Sequence, residues 1–481
     1  MSITNLEPTA IWQHFEAINA IPRASTKEEG ITQFMIAFGT SLNLETSVDA
    51  IGNVIIRKAG TPGKENHRTI VLQGHTDMVH QKEPNSNFNF DTQGIKMFVD
   101  GDWVKAKETT LGADNGIGVA AIMAVLSSKD LEHPPIEALF TVDEEMGMTG
   151  AMALTKEQLN GTMLLNLDSE EDDIITIGCA GGVDVLIDGT YDLELLDAKK
   201  YSLFEIKLSG LAGGHSGVEI HLNQANAIIV LATCLEQLVL KTGCNIHSIN
   251  VGTLTNVIPR NGWAIVAIEK GKQEVFSQAF TKISTQLKEK YSATDPSMKL
   301  EYVKTKNTTG VLDSKTQNKL LKAILTIPNG VYSMSKGIAD LVQTSNNFAI
   351  LNVGNSKFHA ACHTRSSVDQ ERNELAGKIK ECFAFAEVKE VGPYPGWEPN
   401  PESELLHLTK KCYTELNGAL PLVKSIHAGL ECGILSGTFP TMQMVSFGPN
   451  ILGAHSPEER LQISSTQKFW KLLTTLLKQL E

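Results

Sequence analysis

Apolar residues recur at helical spacing over 10–21 and stop at Pro22, and Thr26 followed by Glu28 and Glu29 opens a second helix running to about residue 38. Residues 53–57 and 69–73 read as neighbouring strands, and 97–105 as a hairpin turning at Asp100-Gly101. Between them 81–95 is polar and carries no packed period. A glycine-rich turn, Leu111-Gly112-Ala113-Asp114-Asn115-Gly116, leads into 117–126, an apolar helix suited to a core. Residues 136–142 and 162–167 are short apolar runs of buried-strand length, and 174–191 continues in β pattern.

The texture then changes. Residues 204–208 alternate as a half-exposed strand does. A helix at 223–240, strands at 248–254 and 262–269, and a helix at 273–290 follow. The same strand-helix-strand-strand-helix order recurs through 300–304, 314–327, 341–353, 359–367 and 370–386, so two tandem units are expected there. Gly392-Pro393-Tyr394-Pro395-Gly396 reads as a linker. Beyond it come a helix at 403–416, a strand at 442–447, a loop at 453–460 and an amphipathic closing helix at 465–480. The expected organisation is one domain from 1–182 plus 397–481, interrupted by a second at 183–396.

Composition narrows the class. The 481 residues exceed one ordinary core, and 42% hydrophobic with 20% charged residues fits a globular protein. Lys+Arg 42 against Asp+Glu 55 gives a net charge of −13, which argues against nucleic acid or an anionic membrane as partner. Residues 1–10 show no signal pattern, no apolar run approaches a membrane span, and the seven scattered cysteines lack a C-x-x-C pair, so a cytoplasmic protein is expected. Asn307-Thr308-Thr309 matches a glycosylation sequon that has no role in such a compartment.

The chemistry lies where apolar runs end. The 69–73 strand ends in Gly74-His75-Thr76-Asp77, where open α/β sheets place ligands, and Asp77 leaves an extended segment on the same side as His75. The next two strands end in Asp143-Glu144-Glu145 and Asp168-Ser169-Glu170. Asp114 either caps the following helix or presents its carboxylate, and an acidic triplet is either a solvated loop or a cation site. Four such arrivals in about 95 residues favour a shared site.

Together with Gly453-Ala454-His455-Ser456-Pro457-Glu458, these motifs resemble the co-catalytic zinc exopeptidases, the carboxypeptidases, aminoacylases and dipeptidases with a lid inserted in a catalytic domain. Asn256-Val257-Ile258-Pro259-Arg260, Arg365-Ser366-Ser367 and Ile426-His427-Ala428-Gly429-Leu430-Glu431-Cys432-Gly433 point within that group to the aminoacyl-histidine (Xaa-His) dipeptidases. One departure lies at 221–226, where such dipeptidases carry a glycine-richer run. The resemblance implies an α/β fold, with a mixed-sheet catalytic domain and an α+β lid. It implies two Zn(2+) ions, with Co or Mn as substitutes. His75 and Asp168 would bind one ion, Glu145 and His455 the other, and Asp114 would bridge them across a cis Asp114–Asn115 bond. Of His455 and His427 as the distal ligand, the motif favours His455.

Glu144 would be the general base, Asp77 would orient His75, and His215 would stabilise the carbonyl oxyanion. Arg365 and Asn256 would hold the substrate's terminal carboxylate, with Gly429 among the substrate-binding residues. Glu170, Asp143 and His80 are read as solvated or supporting groups. The implied reaction is hydrolysis of dipeptides, β-alanyl-histidine included, by a homodimer. A deacylase or aminotripeptidase of the same architecture, or a metal-binding protein without turnover, is the competing reading. The free base Glu144 argues against the last, and Gly214-His215-Ser216-Gly217 lacks the Gly-x-Ser-x-Gly elbow of a serine hydrolase.

Overall fold

The three apolar runs become the strands Ile70–His75, Ile136–Thr141 and Met163–Asn166, every residue of which is buried. The structure, a computed structural model, describes residues 2–306, 310–338 and 340–481; the sequon at 307–309 lies outside the described residues. With Gln443–Ser446, these strands form the parallel centre of an eight-stranded mixed sheet. Its order is Glu45–Val48, Val54–Lys58, Ile136–Thr141, Ile70–His75, Met163–Asn166, Gln443–Ser446, Ile174–Cys179 and Leu422–Ile426. Parallel strands covered on both faces need largely apolar sequence, which these have apart from buried polar residues such as Gln73 and Glu137. The helix Ala113–Ser127, buried from Gly116 to Leu126, packs on Ile70–His75 and on the helix Thr9–Asn19.

Val54–Lys58 and Ile70–His75 are not neighbours as expected. Ile136–Thr141 lies between them, antiparallel to the first and parallel to the second. The polar link between the two strands is long enough to step over one strand, and alternation along the chain does not reveal such an insertion.

The chain divides into two compact units: Met1–Gly178 with Trp397–Ser425 and Leu430–Glu481, and Cys179–Gly396 with Ile426–Gly429. The continuous β pattern at 174–191 is two strands, Ile174–Cys179 in the first sheet and Gly181–Thr190 in a second.

That second sheet is nine-stranded, and its pairings are antiparallel. Its order is Lys299–Lys304, Tyr201–Ser209, Gly262–Glu269, Asn245–Val251, Val342–Gly354, Lys357–Ser366, Gly181–Thr190 and Glu387–Tyr394, with Gly330–Met334 pairing on Val342–Gly354. The halves mirror each other about the Asn245–Val251/Val342–Gly354 pair. Lys299–Lys304, expected to open the second repeat, closes the first by pairing with Tyr201–Ser209. In the other half the position matching Tyr201–Ser209 is filled by Gly181–Thr190, from far earlier in the chain, and the edge matching Lys299–Lys304 by Glu387–Tyr394. The supposed linker begins inside the edge strand Glu387–Tyr394, where a register shift between Val391 and Tyr394 accommodates Gly392 and Pro393.

Ile206, Val266, Ile249 and Val185 from the sheet meet Leu231, Leu235, Ile283, Ile324 and Ile379 from the helices in one core. By length and composition the stretch Ile220–Thr242 is apolar enough to cross a membrane, which the sequence reading did not anticipate. Within the described residues it includes a core helix, Ala227–Thr242, whose Ile228, Leu231 and Leu235 are buried. Phe276 anchors this core, with ring centroids 5.2 Å from Phe204 and 5.1 Å from Tyr302. Phe276→Ala is expected to cost about 3–5 kcal/mol of stability, read as a lowered midpoint in urea unfolding.

Candidate metal centre

The parallel strands all point their C-terminal ends the same way, and the acids and imidazoles gather there, as the topology of open α/β sheets directs. His75 is the last residue of its strand; Glu144 and Glu145 follow Ile136–Thr141, and Asp168 follows Met163–Asn166. His455 arrives on a loop whose base, Ile451–Leu452 paired with Arg460–Gln462, joins a small sheet with the hairpin 97–106.

Asp114 sits between the two histidines. Its Oδ1 is 3.1 Å from His75 Nε2, and its Oδ2 is 3.3 Å from His455 Nε2. His75 Nε2 is also 3.4 Å from Asp168 Oδ1, and His455 Nε2 is 3.0 Å from Glu145 Oε2. Two triplets result, His75/Asp114/Asp168 and Asp114/Glu145/His455, each with ligand atoms within 4.8 Å of one another. A third, His75/Glu144/Glu145, satisfies the same spacing.

Asp77 works behind these groups. Its Oδ1 lies 3.2 Å from His75 Nδ1, which in the neutral ring places the N–H there and directs the Nε2 lone pair toward the Asp114 and Asp168 side, where a cation would bind. The same carboxylate accepts the backbone N–H of Glu144 at 3.1 Å and of Glu145 at 3.2 Å, and the Ser25 hydroxyl at 2.7 Å. Burial opposes its charge, yet these partners, His75 foremost, hold it at about 2.

The Asp114–Asn115 peptide is cis. Asn115 Nδ2 donates to Leu167 O at 2.6 Å, tying the Asp114 turn to the strand end that carries Asp168. Gly74 permits this approach: a Cβ there would lie 2.4 Å from Asn115 Oδ1. Asp114 does not cap its helix. The free N–H groups of that turn go instead to Glu459, whose carboxylate accepts from Leu111, Ala113 and Gly112 at 2.7, 2.7 and 3.0 Å.

Electrostatics describe a site overloaded with negative charge. Burial opposes charge on His75, but Asp168, Asp114 and Asp77 outweigh it and hold its pKa well above the ordinary histidine value. Asp114 and Glu145 push His455 up to about 11. Burial lifts Asp168 to about 6, with Asp114 and Glu145 adding to the lift and His75 opposing. Burial likewise lifts Glu144 well above the carboxylate range, against the pull of His75. Asp168 Oδ1 and Glu145 Oε1 are buried without a hydrogen-bond partner among the described residues. Nitrogen and carboxylate donors at this spacing, in this charge state, fit divalent cations.

Arg23, like Glu459, shapes the site and went unrecognised in the sequence. Arg23, fully buried, donates to Thr76 O, Asp77 O and Gly112 O at 3.1, 2.9 and 2.6 Å. Glu431, part of the 426–433 motif singled out in the sequence, is 1% exposed and accepts from Gln73 Nε2 at 2.6 Å and from Thr141 Oγ1 at 2.7 Å. His80 stacks on Phe90 with centroids 4.0 Å apart, and Asp143 accepts the Thr149 hydroxyl at 2.6 Å, so both are structural.

The remaining expected residues lie in the second unit. Gly214–His215 pairs antiparallel with Val257–Ile258, and Ser216 N donates to Asn256 O at 2.9 Å. His215 Nδ1 accepts the backbone N–H groups of Gly217 and Val218 at 3.1 and 3.0 Å, so in the neutral ring Nε2 carries the proton. A Cβ on Gly217 would lie 3.2 Å from both Arg365 Nε and His215 Cε1, which locates these two side chains side by side. Arg365 is buried; its Nη1 donates to the Tyr394 hydroxyl at 3.2 Å and its Nε has no hydrogen-bond partner among the described residues. Asn256 is exposed, and Gly429 follows Ala428, whose carbonyl accepts from Ala180 N. His427, the rival to His455, is buried with Nε2 bonded to Ser345 Oγ at 2.7 Å.

Comparison with known proteins identifies the family. Over 480 residues, 99% of each chain, the sequence is 36% identical to the cytosol non-specific dipeptidase of Escherichia coli (strain K12). The crystal structure of aminoacylhistidine dipeptidase from Vibrio alginolyticus superposes with a TM-score of 0.95 at 36% identity, covering 100% of this chain and 98% of that one. Aminopeptidase PepT from Bacillus cereus shares the fold at a TM-score of 0.57 and 17% identity, with 98% of each chain covered. The profile of the peptidase family M20/M25/M40 matches residues 71–479. With that match and the clustered ligand set, the chain belongs to peptidase family M20/M25/M40, a family of metal-dependent hydrolases.

Proposed function

We propose that this protein is a cytosolic dinuclear zinc dipeptidase. The observation that carries the reading is the Asp114 carboxylate, with one oxygen near each histidine. In this reading His75 and Asp168 hold one ion, Glu145 and His455 the other, and Asp114 serves both. The first compact unit is catalytic and the second is the lid. When bound, such ions polarise a carbonyl and lower the pKa of water toward 7.

The chain's own groups do the rest. Glu144 accepts a proton from the attacking water, the water oxygen bonds to the peptide carbonyl carbon, and the C–N bond breaks as Glu144 returns the proton to the leaving amine. Asp77 fixes both His75 and the Glu144 backbone, so ligand and base keep one geometry. His215 offers its Nε2–H to the carbonyl oxygen as negative charge develops. Arg365, with its unpartnered Nε, and Asn256 hold the terminal carboxylate, and Gly429 supplies backbone beside it.

A substrate panel tests the reading. Purified protein, stripped with chelator and reloaded with zinc, is expected to cleave dipeptides, β-alanyl-histidine among them, and to be silent when stripped. Turnover confined to tripeptides or N-acyl amino acids would move the assignment to an aminotripeptidase or a deacylase.

A further inference from the structure

Two buried charges outside the candidate ligand set converge on one peptide unit. Glu459 is 3% exposed and lies four residues beyond His455. Its Oε2 accepts the N–H of Leu111 at 2.7 Å and of Gly112 at 3.0 Å, while its Oε1 accepts Ala113 N–H at 2.7 Å and Asp114 N–H at a longer 3.4 Å. Arg23 grips the same turn from the other side: Nη2 donates to Gly112 O at 2.6 Å and to Asn19 Oδ1 at 2.9 Å. Its Nη1 reaches Thr76 O and Asp77 O at the end of the His75 strand. Gly112 thus gives its N–H to one charge and its carbonyl to the other. It has φ +70, and a Cβ there would lie 2.4 Å from Arg23 Nη2 and 2.7 Å from Met78 Sδ.

We propose that Glu459 and Arg23 are positioning residues that clamp the Asp114 turn, Glu459 to the His455 loop and Arg23 to the His75 strand end, and so set the affinity of the metal centre. The inference rests on the metal-site reading above. His455 needs such a clamp most. Its side chain is 52% exposed and its backbone is left-handed at φ 63, while His75 is 1% exposed within a strand. Loss of Glu459 therefore acts chiefly on the ion shared by Asp114, Glu145 and His455. Charge matters as well as shape. A carboxylate satisfies this crowd of backbone donors with acceptors alone, whereas a glutamine in its place turns an NH2 group toward some of them.

The test is calorimetric zinc titration of chelator-stripped wild type and Glu459→Gln, alongside the thermal melting of each stripped protein. The wild type is expected to bind two ions. In Glu459→Gln one site is expected to weaken by about 10–100-fold, the usual effect of losing a group that orients a ligand, and the other to change less. The stripped variant is expected to melt close to the wild type, and its kcat is expected to recover at saturating zinc, which a folding defect does not do. Arg23→Lys, which keeps the charge and loses the fork, is expected to weaken both sites. Unchanged affinities in a folded Glu459→Gln overturn the inference, as does a variant unfolded before loading, since Glu459 is then a folding residue. A wild type that binds no divalent ion instead overturns the metal-site reading itself.

Discussion

Glu144→Gln is expected to lower kcat by about two to four orders of magnitude, the range general base catalysis supplies, with KM little changed. The substitution keeps volume and removes only the capacity to take a proton. His75, Glu144 and Glu145 also meet ligand spacing, so Glu144 is placed for either of two roles, base or ligand. Metal content separates the two roles. As a base, Glu144 is dispensable for metal uptake, and Glu144→Gln binds as much zinc as the wild type. As a ligand it is not, and zinc content and kcat fall together. The backbone of residue 144 stays in place either way, since Asp77 accepts its N–H rather than its side chain. Normal turnover by Glu144→Gln with two ions bound would remove this residue from the mechanism.

The sequence displayed the ends of buried strands and hid what joins them. His75, Glu145 and Asp168 stood at the close of apolar runs, and periodicity located those runs to within a residue or two. That a shared site exists followed from the number of such endings. Strand order did not follow, because the insertion of Ile136–Thr141 between Val54–Lys58 and Ile70–His75 depends on tertiary packing. Nor did the partnership of Gly181–Thr190 with the second half of its sheet, since the first half is threaded between them in sequence.

Among site residues, the hidden ones act through the backbone of distant segments. Glu459 serves a turn nearly 350 positions earlier, and a glutamate in a polar loop advertises nothing of that kind. The sequence offered Asp114 itself as the cap of the following helix, and the structure gives the N–H groups of that turn to Glu459 instead. Arg23, just past the proline that ends the first helix, carried no hint at all.

Asp114→Ala is expected to remove the capacity for both ions at once, and with it essentially all turnover. Asp168 approaches His75 at 3.4 Å and Glu145 approaches His455 at 3.0 Å, with Glu145 also at the wider ligand spacing from His75. Asp114 approaches both imidazoles closely, at 3.1 and 3.3 Å, one through each oxygen, and burial, which opposes its charge, is outweighed by His455 and His75, which hold its carboxyl well below the usual range. Metal polarisation contributes several kcal/mol of transition-state stabilisation, and at 1.36 kcal/mol per tenfold its loss corresponds to a fall of at least about a thousandfold. His455→Ala supplies the comparison, because it strips one side and leaves His75, Asp114 and Asp168 together. It is expected to retain one ion by elemental analysis, where Asp114→Ala retains none. If Asp114→Ala instead kept two ions with wild-type affinity, the carboxylate between the histidines would not be shared by two cations, and the dinuclear reading would fail.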